Sequence, residues 1–150
     1  MTEVSTKRGV SQNQEGGKMI TTIKTTELKR FTAPDEVRTF PNGRVELLHF
    51  GEHDIAKITL LPGWRWSKDV KPAAKTEWCE IPHFQYAISG RLHFVSSDKH
   101  AFDFEAGDVL CVGGGHDAWV VGNEPFVAVD WLGMADYAKE SPVSTMSETY

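Results

Sequence analysis

The chain has 150 residues, of which 40% are apolar and 11% aromatic, enough for one hydrophobic core and too few for two, since domains run to about 100–150 residues. Aromatic rings at that density repay their ordering entropy only when buried, which excludes a wholly disordered chain. Acidic residues outnumber basic ones, 21 to 16, and the net charge is −5, which disfavours nucleic acid as a partner because that affinity comes from clustered cations displacing counterions. No run approaches the roughly 18 apolar residues of a membrane span, and residues 1–18 lack the apolar stretch of a secretory signal. The expectation is a cytoplasmic protein without membrane contact. Cys79 and Cys111 are expected to be free thiols, since two cysteines in a domain of this size suit a reducing compartment.

In chain order, residues 1–21 are polar and aperiodic, as are residues 141–150, so both read as flexible tails around one domain over 22–140. The segments 26–30 and 134–140 each have the pattern for a turn or two of helix, too short to be stable alone. From Arg44 onward, short runs of Val, Ile, Phe, Trp and Leu alternate with Gly, Pro, Asp and Asn at spacings of about 8–12 residues, the pattern of all-β barrels and sandwiches. Eight strands are predicted, over 45–50, 55–61, 83–88, 91–95, 102–104, 108–112, 118–121 and 126–131. Ser89-Gly90 reads as a tight hairpin between two of them, the glycine supplying the positive φ that such turns need.

Walker, dinucleotide GxGxxG, GxSxG, HExxH and paired CxxC motifs are all missing from the sequence. The run Gly113-Gly114-Gly115 leads into a predicted strand and not into a helix N-terminus, so it lacks the dipole that would favour phosphate. Residues with metal chemistry cluster elsewhere. Glu77, Cys79 and His83 are separated by even numbers, which puts them on one face of a regular strand, although Pro82 interrupts the run. A carboxylate, a thiolate and an imidazole are competent ligands for a divalent transition metal. Sulfur favours Zn²⁺ or Fe²⁺, with Mn²⁺ a poorer match. His116 is a candidate fourth ligand from the turn before Trp119. The alternatives are that Cys79 packs as a small hydrophobe and that His116 hydrogen-bonds loop carbonyls.

Trp64 and Trp66 lie two apart on an extended segment and share a face; they line the mouth of a ligand pocket or plug the end of the barrel. Gln85 and Tyr86 neighbour His83 and are candidates to add a donor or acceptor, and Trp119 falls at a core or pocket-wall position. Arg65, Lys68, Lys71 and Lys75 make a basic loop, suited to an anionic small molecule or simply solvated.

Segments 61–94 and 104–121 resemble the two motifs of the cupin superfamily: a Pro-Gly opening at Pro62-Gly63, a ligand cluster, the Gly90 hairpin, then Gly107-Asp108, a Gly-rich turn and a final ligand position. The resemblance implies an all-β fold with a single cupin-type β-barrel, a double-stranded β-helix or jelly roll with short peripheral helices, and a homodimer. Counting from Gly90, the position usually held by Glu falls on His83, and the two usual His positions fall on Glu77 and Cys79. The usual last His falls on Ala118, so the spacing of the family survives while its ligand types change. Three functional readings follow. One is a small-molecule-binding domain with or without a transition metal. Another is a metal-dependent oxygenase, isomerase or lyase acting on a small organic substrate. The third is a non-catalytic dimeric interaction module whose barrel is filled by its own side chains.

Overall fold

The structure is a computed structural model that describes residues 23–135 and 137–139; the tails expected over 1–21 and 141–150 lie outside the described residues. Among the described residues are nine strands: β1 Glu36–Phe40, β2 Gly43–Phe50, β3 His53–Leu60, β4 His83–Ser89, β5 Arg91–Ser96, β6 Ala101–Glu105, β7 Val109–Val112, β8 His116–Val120 and β9 Phe126–Asp130. They form two sheets, a six-stranded one ordered β1-β2-β3-β9-β4-β7 and a three-stranded one ordered β6-β5-β8. Every pairing is antiparallel. The all-β expectation is met, and each of the eight predicted strands is present with its ends moved by a few residues.

Alternation explains how each strand finds its face. In β4, His83, Gln85 and Ala87 are buried while Phe84, Tyr86 and Ile88 are exposed, and in β9 the inward set is Phe126, Ala128 and Asp130. The inward apolar side chains of both sheets meet in one core, centred on Val45, Leu47, Leu60, Phe94, Phe104 and Phe126. The chain passes from the larger sheet to the smaller through Ser89-Gly90. Gly90 has φ +77°, and a Cβ there would lie 2.4 Å from the Pro125 carbonyl oxygen, so only glycine lets the hairpin pass that close to the start of β9.

Strand β1 was not expected from the sequence. Its text, EVRTF, carries two charges in five residues, and it forms because it borders the sheet and pairs along its whole length with β2, from Glu36 opposite Leu47 to Phe40 opposite Gly43. The helix expected over 26–30 is absent. Lys29 there reaches away from its own backbone, to the Asp35 carboxylate at 2.8 Å and the His49 carbonyl. No helix forms among the described residues of 134–140 either; Asp136 and Glu140 lie outside them.

The two helices that do form, α1 Trp66–Asp69 and α2 Lys71–Ala74, fall where a loop was expected. Asp117, fifty residues away on β8, accepts the Ser67 backbone N–H at 3.1 Å in the first turn of α1, so the group stabilising that turn is not local in sequence. Pro72 stands at the start of α2, where its missing N–H is harmless.

Phe126 is fully buried and packs on Phe104 with ring centroids 5.5 Å apart. Phe126→Ala is expected to destabilise the fold by about 3–5 kcal/mol, through lost transfer energy and the cavity left behind. Urea unfolding followed by far-UV circular dichroism measures it.

Candidate functional site

Cys79, His83 and His116 come together between the two sheets, all three buried, with their ligand atoms within 4.8 Å of one another. Backbone pairing holds the first against the last. The Cys79 N–H donates to the His116 carbonyl at 2.8 Å, and the Gly115 N–H donates to the Cys79 carbonyl at 2.7 Å. The glycine run makes this approach feasible. A Cβ on Gly114 would sit 2.6 Å from the Glu80 carbonyl oxygen, and Gly115 has φ +91°. The glycine run therefore lets the turn before β8 press against the segment around Glu80 and delivers His116 beside Cys79.

The hydrogen bonds of the two histidines decide which ring nitrogen faces the cluster. Asp130, 1% exposed, accepts the Leu132 N–H at 2.7 Å on one carboxylate oxygen and shares the other between His83 Nδ1 at 2.9 Å and Gln85 Nε2 at 2.7 Å. A carboxylate only accepts, so His83 donates from Nδ1, which in the neutral ring leaves the lone pair on Nε2, 3.8 Å from Cys79 Sγ. His116 likewise donates from Nδ1 to the Gly113 carbonyl at 2.8 Å, leaving Nε2 as its acceptor. Each imidazole is thus oriented by an outer partner, the arrangement by which metal-binding histidines are held.

Burial sets the protonation of the cluster. It pushes the Cys79 thiol up to about 12, despite the opposing pull of its hydrogen bond at Ile81, and pushes His116 down to about 4, with His83 adding to the effect. Tyr137, fully buried beside them, is held well above its ordinary value for the same reason. Near neutral pH Cys79 is therefore a thiol and His116 a neutral imidazole, so Cys79 is not a free thiolate nucleophile.

The cluster opens on a chamber of about 20 Å³. Trp64, Trp66 and Gln85 line it, together with Phe94, Phe126, Met134 and Tyr137. A volume near 20 Å³ admits a water, an ion or a molecule of one or two heavy atoms, and in this conformation no drug-sized ligand, whose pockets run to about 300 Å³ or more.

The remaining candidates lie elsewhere. Glu77 sits on a bend before the Cys79 bridge, its side chain 80% exposed and paired with Lys71 at 3.0 Å, so even spacing does not bring it to the cluster. Tyr86 is turned outward by strand alternation and is 42% exposed. Trp119 faces the other side of the smaller sheet, under the Arg65 guanidinium at 4.3 Å and beside the His93 ring at 4.8 Å. The cations of the expected basic loop are dispersed among partners: Arg65 to Asp117, Lys68 to the Gly63 carbonyl and Lys71 to Glu77.

Sequence reasoning missed Asp130, Met134, Tyr137 and Arg38. Asp130 had a signal, being an acid at the inward position of an otherwise apolar strand, where a charge persists only with partners. Tyr137 stands edge-on to His83 at 5.7 Å and to Phe40 at 5.8 Å, and Met134 and Tyr137 are held over the chamber by Arg38. Its guanidinium donates to the Met134 and Tyr137 carbonyls, and to that of Ala135 at 3.1 Å. Nothing local in the sequence marks that contact, because β1 itself was not expected.

No protein-family profile matches the sequence, and no curated protein is significantly similar to it. Among solved structures, a Cupin 2 conserved barrel domain protein from Salinispora arenicola is similar at 21% identity and a TM-score of 0.48, over 71% of this chain and 89% of that one. A cupin-like protein from Thermotoga maritima is similar at 18% identity and a TM-score of 0.45, over 63% and 79%. An oxalate decarboxylase from Lactobacillus farciminis, solved as a formate complex, is similar at 19% identity and a TM-score of 0.47, over 68% of this chain but 32% of that one, so this chain spans about a third of that enzyme. Each similarity is one of fold.

The protonation of the cluster has consequences for stability. His116 falls from its ordinary 6.5 to about 4 on folding, so between those values the unfolded chain takes up a proton that the folded one refuses. Metal-free protein is expected to lose on the order of 2–3 kcal/mol from this group as pH falls through that window. Cys79 acts on the other flank, since its pKa rises from 9.0 to about 12 and stability declines as pH climbs between them. Chemical unfolding from pH 4 to pH 10 checks both flanks, and His116→Gln should flatten the acid one.

Proposed function

We propose that this protein is a transition-metal-binding domain, with Cys79 Sγ, His83 Nε2 and His116 Nε2 as the three protein ligands. The observation that carries the reading is the convergence of three buried donors whose two imidazoles are already fixed in the ligating tautomer by Asp130 and the Gly113 carbonyl. The donor set is chemically suited to the ion. One sulfur and two imidazole nitrogens match Zn²⁺ first and Fe²⁺ second, and three protein ligands leave a position free, as in catalytic zinc sites. Bound there, the ion would supply Lewis-acid chemistry. Taking it up requires Cys79 to lose the proton that burial holds on it, so binding releases a proton and tightens as pH rises.

Zn²⁺ and Co²⁺ titration of tag-free protein tests the reading. One ion per chain is expected, with a thiolate charge-transfer band in the Co²⁺ form. Cys79→Ala should abolish the band with folding retained, and Asp130→Asn should weaken binding about 10–100-fold by freeing His83 to turn. Wild-type protein that takes up neither metal overturns it.

A second reading, a homodimer, is favoured by the outer face of the larger sheet. Phe84, Tyr86, Ile88, Val109 and Trp131 are 42–63% exposed there. Register places Cys111 opposite Phe84, and Val109 and Val129 opposite Tyr86, so strands β9, β4 and β7 present an outward face without a single charge. In a chain of net charge −5, a charge-free face beside the edge strand β7 suits a second copy, because charged residues are depleted at the centres of homodimer interfaces and edge strands otherwise carry charge. Sedimentation should give a dimer for the wild type and a monomer with unchanged melting temperature for Val109→Glu. A monomeric wild type at every concentration removes this reading.

A further inference from the structure

Among the described residues, two buried side-chain polar atoms have no hydrogen-bond partner, Trp64 Nε1 and Gln85 Oε1. Both residues line the chamber beside Cys79, His83 and His116, and they are 3% and 4% exposed. Unpaired buried groups are rare in folded proteins because each gives up its bonds to water without replacement. Finding a lone donor and a lone acceptor in the wall of one chamber points to a molecule that satisfies both.

The orientation of the glutamine is not arbitrary. Its Nε2 donates to Asp130 Oδ2 at 2.7 Å, and Asp130 can only accept, so the amide cannot flip and Oε1 must be the atom left over. The tryptophan supplies only a donor. A molecule that satisfies both atoms must therefore accept from Trp64 and donate to Gln85. A chamber of about 20 Å³ limits it to one or two heavy atoms. No Lys or Arg among the described residues lines the chamber, so an anion would find no compensating charge.

We propose that Trp64 Nε1 and Gln85 Oε1 form a subsite for a neutral molecule of one or two heavy atoms that is at once hydrogen-bond donor and acceptor, water in the resting protein and a small alcohol in exchange for it. The subsite adjoins the metal ligands but does not need an ion in order to form, so it stands or falls separately from the metal reading.

The test uses metal-free full-length protein. Trp64→Phe, which keeps a ring and removes the N–H, assigns the Trp64 indole resonance among the five tryptophans. That resonance should show a persistent contact with water, and methanol should shift it while propan-2-ol, too large for the chamber, should not. In Gln85→Met the methanol response should weaken by at least about tenfold, the acceptor having gone. A crystal structure of the wild type should show one non-protein atom within hydrogen-bond distance of both Nε1 and Oε1, a result that needs no variant to fold. Absence of the water contact or of the methanol response, a propan-2-ol response as strong as that to methanol, or either atom bonded to a protein group instead overturns the proposal.

Discussion

The carboxylate of Asp130 is the constraint on which the interior depends. It lies at the inward end of β9 with three donors converging on it: the His83 ring, the Gln85 amide and the Leu132 backbone. A buried carboxylate with three donors is tolerable, and one stripped of them is not. Because β9 pairs with β3 on one side and β4 on the other, the same residue ties the position of the site to the register of the larger sheet. Gln85 stands opposite Asp130 in that register, and one residue of slip in β9 would turn Asp130 away from both Gln85 and His83.

Around that anchor, the remaining parts are delivered by contacts distant in sequence. Cys79 is not on a long strand; it is held by bonds to the glycine-rich turn that leads into β8. Phe40 and Arg38 come from β1, at the border of the sheet, and meet the segment around Tyr137 across almost the whole domain. Asp117 joins β8 to the short helix bearing Trp66 while Arg65 lies over Trp119 on the far side. A site assembled in this way is rigid only when the two sheets are packed, which makes its geometry a property of the folded whole.

The strand text was highly legible because alternation in β3, β4 and β9 is a local signal with a period of two, and the Gly90 hairpin is a local steric demand. His83 and Gln85 were legible for the same reason, each at an inward position of β4, whereas Trp66 opens α1 and Trp64 precedes it outside any strand. Glu77 shows where that logic fails, since parity predicts a face only while the strand is regular, and the chain bends before Cys79. Trp119 failed otherwise, being on a strand but on the face that looks away from the core. What could not be read, above all Arg38 on β1 and the capping of α1 by Asp117, depends on partners some fifty to a hundred residues away.

The two cysteines share a fold but not a chemical environment. Cys79 is sealed in the interior with its proton held tightly, whereas Cys111 stands in the open on β7. A maleimide offered to the metal-free monomer should therefore find one thiol and leave the other intact, and a second copy seated on the outer face would shield Cys111. Single-site attachment of a fluorophore or spin label then comes without mutagenesis, on the side of the sheet opposite the chamber, where it reports on neighbours and leaves the interior undisturbed.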